Sequence, residues 1–167
     1  MNLTAPIVRR QLTLFVPDVV AVELEALRRV LDPVQSRLIA AHVTLCREDE
    51  LGACTESELR ARIARCPIRA LQLQFGPAEV FYEHGIRLPS IGDERDFHTL
   101  RQYLLGTEAI RLQSPHITLA HPRNPKAPGN SLATATALTT PFTIRFSTIS
   151  WIEQRGTAPW QLLSQLT

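Results

Sequence analysis

Ala41-His42-Val43-Thr44-Leu45 and Pro115-His116-Ile117-Thr118-Leu119 read alike. Each holds histidine, a β-branched aliphatic, threonine and leucine in that order, within an apolar run of strand character. Side chains alternate across a strand, so residues i and i+2 share a face and lie roughly 6–7 Å apart. His42 and Thr44 therefore point one way, with Val43 and Leu45 turned to the other. The same alternation separates His116 and Thr118 from Ile117 and Leu119. Where two such strands lie near each other, two imidazoles and two hydroxyls converge on one cleft.

The segments leading into the two motifs are also alike. Gln11 to Val16 alternates as a strand, after a ragged terminus over residues 1–10. Asp18 caps a helix on which Val19, Val20, Leu24, Leu27, Val30 and Leu31 fall at helical spacing. Asp32-Pro33 ends that helix, because the residue before proline is pushed out of the α region. The strand His42–Arg47 follows. In the second half, Ile86 to Ile91 is a strand and Gly92-Asp93 opens a helix carrying Phe97, Leu100, Tyr103 and Leu104. Gly106 stops it, and a loop leads to the strand His116–Ala120. Leu14 precedes His42 by 28 residues (42 − 14), and Leu88 precedes His116 by 28 (116 − 88). This repeat of architecture predicts two similar halves related by a pseudo-two-fold, with the motif strands facing across the axis.

Between these units, Glu48 to Cys54 reads as a polar connection. Thr55-Glu56-Ser57-Glu58 is a capping box opening a helix to about Cys66. Ile68 to Phe75 and Val80 to Tyr82 read as strands, with Gly76-Pro77 as a turn. His121 to Gly129, with three prolines, is loop. Ser131 to Leu138 is a short helix, Phe142 to Ile152 a strand and Trp160 to Leu166 the last strand. Hairpin-rich segments between helices favour antiparallel over doubly wound parallel sheets. The expected fold class is therefore α+β: residues 1–167 as a single domain of two interleaved lobes.

A chain of 167 residues with 44% hydrophobic content suffices for such a core. No apolar run approaches the roughly 20 residues that cross a bilayer, and Met1 to Pro6 lacks the pattern of a signal peptide. Cys46, Cys54 and Cys66 are odd in number and lack zinc-type spacing, so they read as reduced thiols in a cytoplasmic protein. The net charge of +2 is not that of a high-affinity duplex binder. Seventeen of the eighteen basic residues are arginine. Arginine suits bidentate phosphate contacts, although genomic base composition accounts for the same bias.

Two imidazoles facing one cleft suit phosphoryl chemistry near neutral pH. Histidine's ordinary pKa is about 6.5, so one ring takes a proton while the other gives one. Threonine hydroxyls donate to the non-bridging phosphoryl oxygens. A zinc site would need three protein ligands, and the threonines sharing the histidines' face are poor ones. Cys46, on the same strand parity as His42, reads as a small buried thiol. His84, His98 and His121 read as structural or solvated, His121 because its parity is opposite to that of His116.

His42-Val43-Thr44-Leu45 and His116-Ile117-Thr118-Leu119, 74 residues apart (116 − 42), resemble the paired motifs of the 2H (two-histidine) phosphoesterase superfamily. The likeness is nearest to its 2′-5′ RNA ligase and cyclic phosphodiesterase branch. The resemblance implies a bilobal α+β fold, each lobe a mainly antiparallel sheet with helices on its outer face and the motifs in the groove between lobes, and metal-independent hydrolysis of 2′,3′-cyclic phosphates of nucleotides or RNA ends, or of 2′-5′-linked RNA, with reversible ligation in some members. It implies no cofactor and no metal. It makes His42 and His116 the acid/base pair and Thr44 and Thr118 the phosphate ligands. Arg47 and Arg123, just past the motifs, are candidates for a further phosphate; Tyr82, Phe81 and Trp151 are candidates to stack on a base. The expected partner is a nucleotide or RNA-end substrate, with no membrane and a monomeric state. The competing reading is a non-catalytic nucleotide- or RNA-binding module that keeps the phosphate cleft.

Overall fold

The structure, a computed structural model, describes residues 6–166. Residues 1–5, on which the reading of the leader rests, lie outside them. The strands are β1 (Val8–Phe15), β2 (His42–Cys46), β3 (Leu71–Phe75), β4 (Glu79–Phe81), β5 (Gly85–Ile91), β6 (His116–Ala120), β7 (Phe142–Phe146), β8 (Ile149–Arg155) and β9 (Gln161–Leu166). The helices are α1 (Asp18–Leu31), α2 (Pro33–Leu38), α3 (Glu48–Leu51), α4 (Glu56–Arg65), α5 (Arg95–Leu105) and α6 (Leu132–Ala135).

All nine strands join one sheet in the order β7-β3-β5-β6-β2-β1-β8-β9, with β4 on β5, and every pairing is antiparallel. The fold is α+β, with a large antiparallel sheet and helices at its periphery. The motif strands β2 and β6 are neighbours at its middle, with three strands continuing on each side. Helix α1 lies against β6, and α5 lies against β2.

Local chemistry sets the element ends. Asp32 closes α1 and opens α2: its carboxylate accepts from Gln35 N at 2.9 Å, and Pro33 occupies the first helical position, where no N–H is needed. The capping box of α4 forms in full, with Thr55 N donating to Glu58 Oε2 at 2.8 Å and Glu58 N donating to Thr55 Oγ1 at 3.3 Å. Gly106 ends α5 at φ +69, where L side chains are strained. Val43, Leu45, Ile117 and Leu119 are fully buried in one core with Leu24 and Leu31 of α1 and Phe97 and Leu104 of α5. The two motif strands thus turn their aliphatic residues to the helix layer, as alternation requires.

Five details depart from the sequence reading. Asp18 is the first residue of α1 rather than its cap, with Pro17 before it and no side-chain cap bond. The strand before α1 begins at Val8, because Val8 to Thr13 pair with β8. The polar connection after Arg47 contains the short helix α3. Residues 33–38, to which the sequence assigns no element, form α2. Phe142 to Ile152 is not one strand: β7 pairs with β3 on one side of the sheet and β8 with β1 on the other, the chain crossing at Ser147-Thr148. Period-2 patterning is shared by both pieces and carries no mark of which neighbour each will find.

Candidate functional site

Val43 stands opposite Ile117 in the β2–β6 ladder. The strands are antiparallel, so one step either side sets His42 across from Thr118 and Thr44 across from His116. Directly opposed residues share a face. Two histidines and two threonines thereby occupy one patch, all four partly buried, with their aliphatic neighbours buried on the other side. The two strands have the same alternation of burial from histidine to the fifth residue.

Each ring is held the same way. His42 Nδ1 lies 2.8 Å from Ala40 O, and His116 Nδ1 lies 3.0 Å from Ser114 O. A carbonyl only accepts, so Nδ1 carries the proton in both rings, and Nε2 is left as the basic nitrogen. Burial pushes His42 down to about 4, with the Arg28 and His116 charges adding in the same direction against the Ala40 carbonyl. Burial also lowers His116, and the Arg87 charge does the same. Both rings are therefore neutral near pH 7 in the free cleft. The sequence had suggested one neutral and one protonated ring.

Behind His42 stands a polar clamp that the sequence reading missed. Arg28, fully buried on α1, donates from Nη2 to Ile39 O at 2.8 Å and from Nη1 to Glu25 Oε2 at 2.8 Å. Ala41 N donates to Glu25. The pair thus brackets Ala40, whose carbonyl fixes the His42 ring. At the far end of β2, buried Arg101 of α5 donates from Nε to Leu45 O at 2.8 Å and pairs with Glu50. In a helix pattern these arginines look like any solvated charge; only the tertiary packing shows them buried.

Both motif strands carry a register slip at the leucine. Leu12 pairs with Cys46 and Thr13 with Thr44, leaving Leu45 extra; Ile86 pairs with Ala120 and Arg87 with Thr118, leaving Leu119 extra. Such a bulge places two successive residues on one side and reverses parity beyond it. Cys46 is therefore buried in the core, where burial pushes its thiol up to about 12. Beyond the bulge, Arg47 and His121 return to the accessible side, Arg47 exposed and His121 partly buried. The parity argument that turned His121 away from the motif fails for that reason. His121 is tied down by its N–H to Asp32 Oδ2 at 2.8 Å, and its Nδ1 accepts from Arg123 N at 3.1 Å.

The other candidates divide. Arg47 leads into α3 and lies 3.8 Å from Asp49. Arg123 is exposed in the loop after β6. Tyr82 is 80% exposed in the β4–β5 turn at φ 45. Phe81 beside it is the aromatic that reaches the motif, with its ring centroid 5.9 Å from that of His116. Gly85 is what admits that ring: a Cβ there would meet Phe81 O at 2.5 Å and the Phe81 ring at 3.0 Å. Phe15 stands similarly near His42, at 6.2 Å. Trp151 is buried on β8 and, with Arg10 and Cys54, borders a separate cavity of about 220 Å³ that the motif residues do not line.

Among the described residues, no group of three or more His, Cys, Asp or Glu is gathered to hold a metal ion. No described helix is long and apolar enough to cross a membrane.

No protein-family model matches the chain, and no curated protein matches it in sequence. Solved structures do share its fold. E. coli LigT complexed with NADP+ superimposes with a TM-score of 0.58 at 18% identity over 98% of both chains. E. coli LigT complexed with phosphate gives 0.57 at 18% identity over 97% of both. A protein described as a phosphoesterase gives 0.52 at 15% identity, over 95% of this chain and 98% of its own. The chain thus has the LigT fold along nearly its whole length.

Proposed function

We propose that the chain is a metal-independent phosphoesterase that hydrolyses 2′,3′-cyclic phosphates of nucleotides or RNA ends, with His42 and His116 as its acid/base pair. The observation that carries this reading is the cross-strand placement of His42 with Thr118 and Thr44 with His116. Two basic Nε2 atoms and two hydroxyls then border one position, where a phosphate meets two donors and two proton carriers. The LigT fold supports it, and so does the capture of phosphate and nucleotides named for LigT itself. We read residues 1–167 as one domain of two interleaved, pseudo-two-fold halves with the cleft at the β2–β6 seam.

In the forward reaction, one neutral Nε2 takes a proton from water as its oxygen bonds to phosphorus. The bond from phosphorus to one ribose oxygen breaks, and the other imidazole, protonated, gives that oxygen its proton. A phosphomonoester and a free hydroxyl result. Both rings are neutral in the free cleft, so the acid's proton is retained only when the bound phosphate anion favours the imidazolium. The kcat/KM profile is therefore bell-shaped with its optimum on the acid side of neutrality. Cleavage of 2′-5′ RNA linkages and its reversal use the same groups with the roles of acid and base exchanged.

The test is turnover of a 2′,3′-cyclic mononucleotide in excess chelator by wild type, His42→Ala and His116→Ala, with the phosphomonoester isomer identified. Turnover by wild type that is lost in both variants supports the reading. Inhibition by chelator, or nucleotide binding without turnover of either cyclic mononucleotides or oligonucleotide ends, rejects it.

A further inference from the structure

We propose that Arg87 anchors a second anionic group of the substrate, one phosphate beyond the one held between the paired motifs; this rests on the phosphoester reading above. Arg87 stands directly opposite Thr118 in the β5–β6 ladder, and Glu79 stands directly opposite Arg87 in the β4–β5 ladder. Opposed residues share a face. Phe81, two residues along β4 from Glu79, joins them there. Glu79, Phe81, Arg87, Thr118 and His116 thus form one continuous strip, whereas the buried Leu88 and Ile117 oppose each other on the reverse side.

The guanidinium is held in place within this strip. Its Nε donates to Glu79 Oε1 at 2.8 Å, Nη2 lies 2.8 Å from the same oxygen, and Cζ stands 5.3 Å from the Phe81 ring centroid. Nη1 has no hydrogen-bond partner among the described residues. The side chain remains 31% exposed, so the free edge meets solvent or ligand. Glu79 and Phe81 lie on the strand beyond β5, and they draw the guanidinium outward, away from Thr118. Adjacent strands lie about 4.8 Å apart. The cation therefore sits past the phosphate position, beside it rather than within it. A planar guanidinium with a free edge, preorganised by a carboxylate and an aromatic face, suits a phosphate oxygen. A nucleotide bearing a second phosphate, or an oligonucleotide end, fits this strip better than a nucleoside cyclic phosphate alone.

The experiment is calorimetric binding of adenosine 2′-monophosphate and adenosine 2′,5′-bisphosphate to wild type, Arg87→Ala and Glu79→Gln. One charge-assisted hydrogen bond predicts that wild type prefers the bisphosphate by about tenfold or more. Arg87→Ala loses that preference while binding the monophosphate as wild type does. Glu79→Gln keeps or enlarges it, because the guanidinium loses its competing anion. Equal affinity of wild type for both compounds overturns the proposal. So does a preference that survives Arg87→Ala, or an Arg87→Ala variant that weakens both compounds alike. In each of those outcomes the monophosphate still binds wild type, and the phosphoester reading stands; binding of neither compound overturns both.

Discussion

The β1–α1–β2 unit and the β5–α5–β6 unit place the same four-residue motif in the same way, then surround it differently. In both, the ring folds back onto the carbonyl two residues upstream, and the strand slips register at the leucine. The neighbour across from each threonine differs. Thr44 faces Thr13, fully buried and accepting from Gln11 Nε2 at 2.9 Å, whereas Thr118 faces Arg87, which is partly exposed. One unit therefore closes against its own core, and the other presents a cation. On the proposed phosphoesterase reading, the shared motif holds the reacting phosphate, and the unshared neighbours decide in which direction the rest of a substrate extends.

The largest effect tests what the two units share. His42→Ala and His116→Ala each lower turnover by about 10²–10⁴-fold, the usual worth of one proton transfer. The double variant is expected to be little worse than either single one, because acid and base serve one step. Strictly multiplicative losses in kcat for the double variant would mean that the rings act separately.

The next prediction separates how each motif strand is held. β2 is gripped at both ends by buried guanidiniums, Arg28 at Ile39 O and Arg101 at Leu45 O. Removing one partner of such a buried pair costs about 3–5 kcal/mol. Both Arg28→Ala and Arg101→Ala therefore lower the urea midpoint sharply. Only Arg28 brackets the Ala40 carbonyl, so only Arg28→Ala should also move the His42 titration followed by NMR. Equal shifts of His42 in both variants would show a general loosening of β2.

A third prediction concerns pH. The unfolded chain protonates His42 near 6.5, whereas the folded protein resists until about 4. Between those values the unfolded state binds more protons, so stability falls as pH falls through this window and is level above it. His116, also lowered, adds the same sign. Urea midpoints at pH 7.5 and pH 5 measure the slope, and His42→Ala is expected to flatten it. A midpoint that rises on acidification would contradict the burial of both rings.

The comparison also explains what the sequence could disclose. Alternation in Ala41–Leu45 and Pro115–Leu119 was sufficient to divide four polar from four aliphatic residues, because one-face burial dictates it. The 28-residue spacing from Leu14 and Leu88 gave the strand–helix–strand units. The bulges at Leu45 and Leu119 were hidden, because an extra residue in a ladder is defined by its partner strand, and parity beyond it misassigned His121. Arg87 and Glu79 were hidden for a similar reason. Each is an ordinary charged residue in a short strand until pairing sets them opposite each other and beside Thr118. Arg28 and Arg101 lie on helices whose charged positions normally face water.

The smallest effect follows from the unshared neighbours. Thr44→Val and Thr118→Val each remove one hydroxyl donor and keep the side chain's shape. A neutral hydrogen bond is worth about 0.5–1.5 kcal/mol, or roughly 2- to 13-fold in rate or affinity. The two losses should not be equal. Thr13, across from Thr44, is fully buried and cannot reach a ligand, so nothing replaces the lost donor. Arg87, across from Thr118, rests outward on Glu79, but with no second phosphate to hold its partly exposed side chain it can swing toward the oxygen that Thr118→Val leaves without a partner. Thr44→Val should therefore be the more damaging on a substrate with a single phosphate. On a substrate whose second phosphate already occupies Arg87, that compensation is gone and the two variants converge. Equal effects on the single-phosphate substrate would mean that Arg87 is too far out to cover for Thr118 and that the asymmetry of the two units stops short of the proposed phosphate position.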